Sequence, residues 1–430
     1  MTSFIKEAEA RFGSQIEPVL GLLGVDPGTL DGEPSGELQG ILDKVASGKT
    51  IDREEALHLS GIEVREVAFL LLAASYVRER AKGDVITFSR NVFVPLTRLC
   101  RDRCGYCTFK VEPGEGVPLF MTPEEVKEVA RGGATLGCTE LLFVTGDKPE
   151  SSYRVYREAL GRLGYKRTSE YLRDMCELGL EQENIFPHSN LGIADREELT
   201  FLREVNASMG LMLETISPRL LEKGQAHYGC PDKVPALRIK TTEEAGELGI
   251  AFTSGILVGI GETWEERVDS LYAIKDIWDR YGHIQEIIIQ NFNPKPGIRM
   301  EKWLPPDFLD MIKVVSIARL IFGGEMNIQV PPNLNPKTYP LFVFAGANDL
   351  GGVSPITIDY VNPEAPWPQV ERMKEIIGKL GFTLKERLPI YPEFVMRGEE
   401  FMSRRVLRRI IDVIDESGYV KEEKSDARNN

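Results

Sequence analysis

Between Ile86 and about residue 380 the chain repeats one pattern, a short and nearly unbroken apolar run followed by a longer segment whose apolar residues return every three or four positions. The runs are Asn91–Leu96, Glu140–Val144, Ser208–Leu213, Ala251–Val258, Glu286–Gln290 and Asn327–Val330, with less apolar candidates near Ile185–His188 and Asn348–Gly351. Unbroken apolarity means burial on both faces, which is how parallel strands beneath a helical layer read. The helical segments carry their own start signals. Thr122-Pro123-Glu124-Glu125 offers an N-cap hydroxyl, a proline at the first helical position and a glutamate that closes a capping box, and Thr263-Trp264-Glu265-Glu266 repeats the box. After Thr263, the residues Val268, Leu271, Ile274, Ile277, Trp278 and Tyr281 form one stripe. Eight strand–helix units fit the available length, so the pattern predicts an α/β fold of the closed (β/α)8, TIM-barrel type over residues 81–385 rather than an open doubly wound sheet. In such a barrel the chemistry sits in the loops that follow the strands.

Ahead of the barrel, residues 1–80 predict a helical extension: Leu38, Ile41, Leu42 and Val45 hold helical spacing, and Gly24–Gly28 and Pro34–Gly36 interrupt it. Residues 386–430 make a C-terminal segment whose last part, from Asp415 to Asn430, is charged and expected to fray. Charge acts mainly by exclusion. Fifty-two basic against 66 acidic residues leave a formal charge of −14, which repels polyanions and disfavours nucleic acid and anionic lipid as partners. The longest strictly apolar run, Val67–Ala74, falls far short of the roughly twenty residues of a membrane helix, and Met1–Glu7 has no apolar signal core. A cytoplasmic protein is the expectation.

Of the six cysteines, Cys100, Cys104 and Cys107 lie together directly after the first predicted strand, while Cys138, Cys176 and Cys230 are scattered. Disulfide frameworks belong to short secreted chains, whereas a tight triad in a long chain reads as a metal site in a reducing compartment. Structural zinc and electron-transfer clusters ordinarily take four protein ligands, so an iron–sulfur cluster held by three leaves one iron open to an external ligand. The alternatives are a zinc knuckle completed by His188 or Cys138, or a surface cluster without metal.

Other strand ends carry candidate chemistry. Val144-Thr145-Gly146-Asp147 puts a glycine and an acid after the second strand, for close backbone approach or for a solvated turn. Glu214 follows the fourth strand and either points into the mouth or pairs with Arg219. Gly255-Ile-Leu-Val-Gly259-Ile-Gly261-Glu262 lacks the third glycine of a dinucleotide loop, because position 264 is Trp, and reads as backbone packing beside a bound group or as plain strand–helix packing. His188, in Pro187-His188-Ser189-Asn190, ends the third strand as either a packed or a functional histidine.

The Cys-x3-Cys-x2-Cys spacing resembles the signature of the radical S-adenosylmethionine (SAM) superfamily. The resemblance sharpens over Ser89–Thr97, Cys107-Thr108-Phe109, Gly146-Asp147-Lys148-Pro149-Glu150, Gly255–Arg267, Gln290-Asn291-Phe292 and Asp359–Pro368. Together these look like the first-subunit family of the 7,8-didemethyl-8-hydroxy-5-deazariboflavin (FO) synthases, over about residues 85–400. The resemblance implies a radical SAM barrel with a 4Fe-4S cluster on Cys100, Cys104 and Cys107, and SAM chelated to the open iron. SAM contacts are implied for Tyr106, Gly146, Asp147, Ser189, Asn190, Glu214, Gly255 and Gly259, with Asp147 standing where the motif leads one to expect glutamate. The implied activity is that of a lyase: the cluster cleaves SAM to a 5′-deoxyadenosyl radical, which abstracts a substrate hydrogen. A tyrosine-derived 4-hydroxybenzyl ribityl-aminouracil adduct is then cyclised oxidatively to the deazaflavin with release of ammonia. A single triad implies that a separate chain, FO synthase subunit 2, supplies the adduct, and that a low-potential donor such as ferredoxin or flavodoxin supplies electrons. His188, Glu150 and Asp349 are acid–base candidates expected at the barrel mouth from position alone. Asn333, Asn348 and Asp349 are candidates to bind the uracil or ribityl chain. Two rival readings stay open: a radical SAM enzyme of the biotin synthase or hydrogenase-maturation type, and a non-enzymatic iron–sulfur or zinc protein.

Overall fold

The computed structural model describes residues 3–182 and 184–421. Eight parallel strands follow one another around a ring: β1 (Val85–Thr97), β2 (Glu140–Thr145), β3 (Phe186–Asn190), β4 (Ser208–Gly210), β5 (Phe252–Val258), β6 (Ile284–Asn291), β7 (Asn327–Gln329) and β8 (Asp349–Val353). β8 pairs with β1, and β1 with β2, so the sheet closes on itself as the predicted (β/α)8 barrel. β1 is longer than its apolar run. Its second half, Asn91–Thr97, pairs with β2, while Val85–Ser89 pair with a ninth strand, β9 (Thr383–Arg387). β9 reads Thr-Leu-Lys-Glu-Arg, a polar sequence without an apolar run, because it lies at a partly exposed sheet margin.

The capping boxes form as read, with both reciprocal bonds present at Thr122/Glu125 and at Thr263/Glu266. Helix Phe308–Phe322 is buried at every residue from Met311 to Phe322. A helix apolar all round needs cover on both faces, and the outer cover comes from the N-terminal helices Arg53–Gly61 and Val67–Lys82, with Ser3–Leu23 and Gly36–Ala46 packed in turn on Val67–Lys82. Lys313 Nζ, on the covered helix, donates to the carbonyls of Ser60 and Ile62 at 3.0 and 2.8 Å. Between β7 and β8 a short 3-10 turn, Tyr339–Val343, stands where the strand–helix pattern leads one to expect a full helix. Helix Val67–Lys82 lies against this region, with Ser75 Oγ donating to Phe344 O at 2.8 Å.

The end of the barrel opposite the cysteine loop is plugged from β9 onward. Arg387 is buried beneath the lumen, its Nε 2.6 Å from Asp349 Oδ2 and its Nη2 3.4 Å from Glu286 Oε2. Tyr391 OH donates to Glu286 at 2.7 Å. This corrects the expected position of Asp349. The residue begins β8 rather than following it, so it belongs to the floor, where Arg387, Thr87 and the Gly351 N–H occupy its carboxylate. At the C-terminus, Ile414 pairs with Val420 across a turn held by Asp415. The rest of the tail expected to fray, residues 422–430, lies outside the described residues. Among the described residues, no helix is long and apolar enough to cross a membrane.

Candidate active site

The loop after β1 is a closed unit. Leu99 bridges to Val111, and Arg98 donates from Nε to Phe109 O at 2.8 Å and from Nη2 to Thr108 O at 3.2 Å. Gly105 ties the loop to its surroundings, its N–H donating to Ala226 O at 2.7 Å and its carbonyl accepting from Met300 N at 3.1 Å. Cys100, Cys104 and Cys107 are free and half-buried on it. Gly146, after β2, lies so close that an added Cβ would overlap Leu99 O and Cys100 Cβ. That approach lets the Asp147 N–H donate to Cys100 Sγ at 3.1 Å. Backbone N–H groups of Phe109 and Lys110 likewise face Cys107. Donors aimed at sulfur suit a thiolate that carries metal.

Among the described residues, the His/Cys/Asp/Glu group whose ligand atoms all lie within 4.8 Å of one another is Asp102, Asp147 and Asp232. The three thiols are spread more widely. A single zinc ion, with its sulfurs at about 2.3 Å, would draw them closer than that, and the wider spread fits a multi-iron cluster. Neither proposed fourth zinc ligand belongs to the cysteine loop: Cys138 precedes β2, at the opposite strand end, with its thiol donating to Asn91 O at 3.3 Å, and His188 lines the barrel lumen. Cys230, scattered in sequence, is brought to 3.7 Å from Cys104 Sγ and accepts the Arg103 N–H at 3.3 Å. Its hydrogen bond, and after it the Lys233 charge, hold the Cys104 thiol below the usual range despite burial.

Asp147 is buried beside this loop. The Ile193 N–H donates to its Oδ2 at 3.2 Å, while Oδ1 has no partner. Gly192, at φ 83°, leaves the space that this carboxylate fills, since a Cβ there would overlap it. Burial, then the charges of Asp232 and Asp102, push the Asp147 carboxyl well above its usual range. Asp232 is paired with Arg101, and Asp102 accepts the Asp232 N–H at 3.1 Å. A free carboxylate oxygen among three acids is a place for a cation.

Glu214 adopts a left-handed backbone, φ 65°, and its carboxylate meets Lys233 Nζ at 2.7 Å. Arg219, the partner considered from sequence, instead pairs with Glu266 at 2.7 Å. Lys233 Nζ lies 5.9 Å from the centre of the Tyr106 ring, and Tyr106 OH meets His227 Nε2 at 3.1 Å. His227 had no sequence reading. Burial, then Lys233 and Arg238, push its pKa to about 2, so it is neutral. Gly255 within β5 and Gly259 just after it are used for packing: a Cβ at Gly255 would overlap Ile288 O on β6, and one at Gly259 would meet Pro306. The N–H groups of Gly259 and Ile260 both donate to the Glu262 carboxylate at 2.8 Å.

Inside the barrel a cavity of about 190 Å³ is lined by Asn91, Glu140, His188, Asn190, Asn333 and Trp367, among others. Alternation along β3 turns His188 and Asn190 into it and Ser189 away. Ser189 is therefore a correction: its hydroxyl donates to Asn206 Oδ1 at 2.7 Å and lies 3.3 Å from Cys176 Sγ, in the layer behind the strand. Ser208 donates its own proton to Pro389 O at 2.6 Å and stands 2.7 Å from His188 Nδ1. Nδ1 must then carry the hydrogen, and Nε2, beside Asn190, is the acceptor end of the ring. Burial pushes the His188 pKa down to about 4, so the ring is a neutral base.

Glu140, which sequence reasoning passed over as the first residue of a strand, accepts from Ser89 Oγ, and burial pushes its carboxyl up to about 7. Glu150 is a second positional correction. It sits on the short helix Pro149–Ser152, its carboxylate taken by Thr168 Oγ1 at 2.6 Å, and it is absent from the cavity wall. The loop of residues 354–368 joins the cavity to the cysteine loop: Val361 O accepts from Thr108 Oγ1 and Lys295 Nζ, each at 2.7 Å, and Asp359 accepts from Asn333 Nδ2 at 2.9 Å.

Comparison with known proteins agrees with this layout. The family model described as the Radical SAM superfamily matches residues 94–272. The 7,8-didemethyl-8-hydroxy-5-deazariboflavin synthase of Methanopyrus kandleri is 52% identical over 314 residues, 73% of this chain and 94% of that one. The FO synthase of Streptomyces avermitilis is 43% identical over 394 residues, 89% of this chain but 46% of that one. Among solved structures, the FeFe-hydrogenase maturase HydG from Carboxydothermus hydrogenoformans superposes with a TM-score of 0.67 at 16% identity, covering 94% of this chain and 95% of that one, a likeness of fold.

Proposed function

The chain belongs to the 7,8-didemethyl-8-hydroxy-5-deazariboflavin synthase family within the radical SAM superfamily and is a radical SAM enzyme of deazaflavin coenzyme biosynthesis, and from that premise we propose that it performs the ring closure of the 4-hydroxybenzyl ribityl-aminouracil adduct, with release of ammonia. The observation that carries this reading is the meeting of three free thiols with the unpartnered Asp147 Oδ1 beside a polar barrel lumen. Cys100, Cys104 and Cys107 would hold a 4Fe-4S cluster with one open iron, and Asp147 would receive the SAM ammonium. When bound, these groups supply a low-potential electron and a hydrogen-abstracting 5′-deoxyadenosyl group, chemistry that no side chain provides.

The chain's own residues do the remainder. Asp102 adds negative charge beside Asp147, while Asp232 is already paired with Arg101. Glu214, fixed by Lys233, and Tyr106, fixed by His227, bound the same region with their polar atoms already oriented. Buried Arg387, Glu286, Asp349 and Tyr391 close the floor, and water kept out at that end would strengthen the polar contacts above it. His188 Nε2 accepts a proton lost by the substrate during ring closure, and Glu140 is a second group able to hold one near neutral pH.

A separate chain, FO synthase subunit 2, would provide the adduct. A ferredoxin or flavodoxin would provide electrons, and the free thiols suit a reducing cytoplasm. The test is direct. Given SAM, a low-potential reductant and preformed adduct, cluster-loaded protein should release 5′-deoxyadenosine and ammonia and form a fluorescent deazaflavin. Given tyrosine and the ribityl-aminouracil instead, it should form none until a second radical enzyme is added. An adduct that neither stimulates SAM cleavage nor is consumed would sink the reading.

A further inference from the structure

Three polar atoms of the lumen wall are buried without a hydrogen-bond partner: Asn91 Oδ1 on β1, Asn333 Oδ1 after β7 and Trp367 Nε1 on the loop after β8. They come from three distant parts of the chain and line one cavity. The orientation of the Asn333 amide is fixed, because its Nδ2 donates to Asp359 Oδ2 at 2.9 Å and to Ala365 O at 3.4 Å, which leaves the carbonyl as the free end. Room for the Asn91 amide is made by Gly352, where a Cβ would overlap its Nδ2. Buried polar groups are almost always paired, and one left unpaired destabilises the fold. Three around a single void mark contacts that a ligand completes.

The chemistry of the wall narrows the ligand. The carboxylates around the lumen are engaged, Glu286 and Asp349 by Arg387, Glu140 by Ser89, and Asp359 by Asn333 and Asn362, so the orphan atoms left for recognition are uncharged. Two carbonyl acceptors and one indole N–H donor, flanked by the carboxamides of Asn190, Gln290 and Gln329, call for a neutral partner with closely spaced N–H or O–H donors and a carbonyl or hydroxyl acceptor. A pyrimidinedione carrying a polyol has that arrangement, and a lone phenol does not. Resting on the function proposed above, we propose that Asn91, Asn333 and Trp367 are the specificity-determining contacts for the pyrimidinedione–ribityl end of the substrate.

The test uses anaerobically prepared, cluster-loaded enzyme and a fluorescence titration with the product deazaflavin, a stable carrier of both the pyrimidinedione and the ribityl chain. Asn91→Leu and Trp367→Phe each remove one orphan atom and keep most of the side-chain volume. Each should weaken binding about tenfold or more, while the melting temperature of the ligand-free protein stays level or rises, because an unpaired buried group has gone. A structural role would lower binding and melting temperature together. Wild-type affinity in both variants, or a drop in melting temperature that accompanies the lost binding, overturns the assignment and leaves the ring-closure reading standing. A wild-type enzyme that cleaves SAM but does not bind the deazaflavin overturns that reading as well.

Discussion

Asp147 ends its side chain one carbon short of the glutamate that the motif leads one to expect, and two glycines adapt the site to it. Gly146 brings the β2 end onto Cys100, and Gly192 clears the volume that the shorter carboxylate occupies. Its Oδ1 is then left free in a pocket of like charge. Asp147→Asn should weaken SAM binding by about tenfold or more, the worth of one charge-assisted hydrogen bond, with the cluster absorption spectrum unchanged. Equilibrium dialysis of loaded protein with labelled SAM checks this, and unaltered affinity would place the ammonium elsewhere. The buried titrating groups give a second expectation. Glu140 has a folded pKa of about 7 against an ordinary 4.5, so the folded protein keeps a proton that the unfolded chain sheds. Stability from this group is complete below pH 4.5 and is lost as pH rises through 7, by about 1 kcal/mol between pH 6 and 8. His188 works in the opposite sense, losing stability as pH falls from 6.5 toward 4. Glu140→Gln should therefore remove a fall in stability between pH 4.5 and 7, read as a smaller difference between denaturant midpoints at pH 6 and 8, and leave the His188 loss below pH 6.5 no longer offset.

At the level of elements, the decisive junction is the contact between the β2 end and the cysteine loop. Gly146→Ala would force its methyl into Leu99 O and Cys100, so one loop must move off the other. The expected outcome is anaerobically reconstituted protein with sub-stoichiometric iron and a normal far-UV spectrum, since the barrel strands themselves are untouched. Full iron content would show that the loops can separate without harm. Capping boxes at Thr122 and Thr263 were legible in the sequence because every partner lies within four residues. The alternation of β3 was legible in principle, yet reading Ser189 as a ligand neighbour beside His188 ignored that successive side chains face opposite ways. β9 left no signal, since a marginal strand needs no second apolar face.

For the whole molecule, the two segments outside the eight-strand repeat complete the barrel. The N-terminal helices supply outer layer over Phe308–Phe322 and beside the short β7–β8 connection, and the C-terminal segment seals the floor. Arg387 is the cation shared by buried Glu286 and Asp349, with Glu140 close enough to feel it. Arg387→Met keeps the volume but strands those acids, and should cost about 3–5 kcal/mol. Chemical denaturation at neutral pH measures it, and the loss should shrink at lower pH, where the acids take up protons. A loss below about 1 kcal/mol would mean that water already solvates the floor.

The sequence by itself determined what depends on neighbours along the chain: the strand–helix alternation, the helix starts, the cysteine triad and the glycine–acid turn after β2. These are local because backbone periodicity, caps and a ligand loop all act over a few residues. Only the tertiary structure decided which side chains share a space. It moved Asp349 to the floor and Glu150 out of the cavity wall, brought Cys230 against Cys104, gave Glu214 to Lys233, and gathered Asn91, Asn333 and Trp367 around one void. Those meetings depend on the register at which eight strands close, and on segments from about twenty to more than two hundred residues apart arriving at the same point, which no pattern of immediate neighbours along the chain encodes.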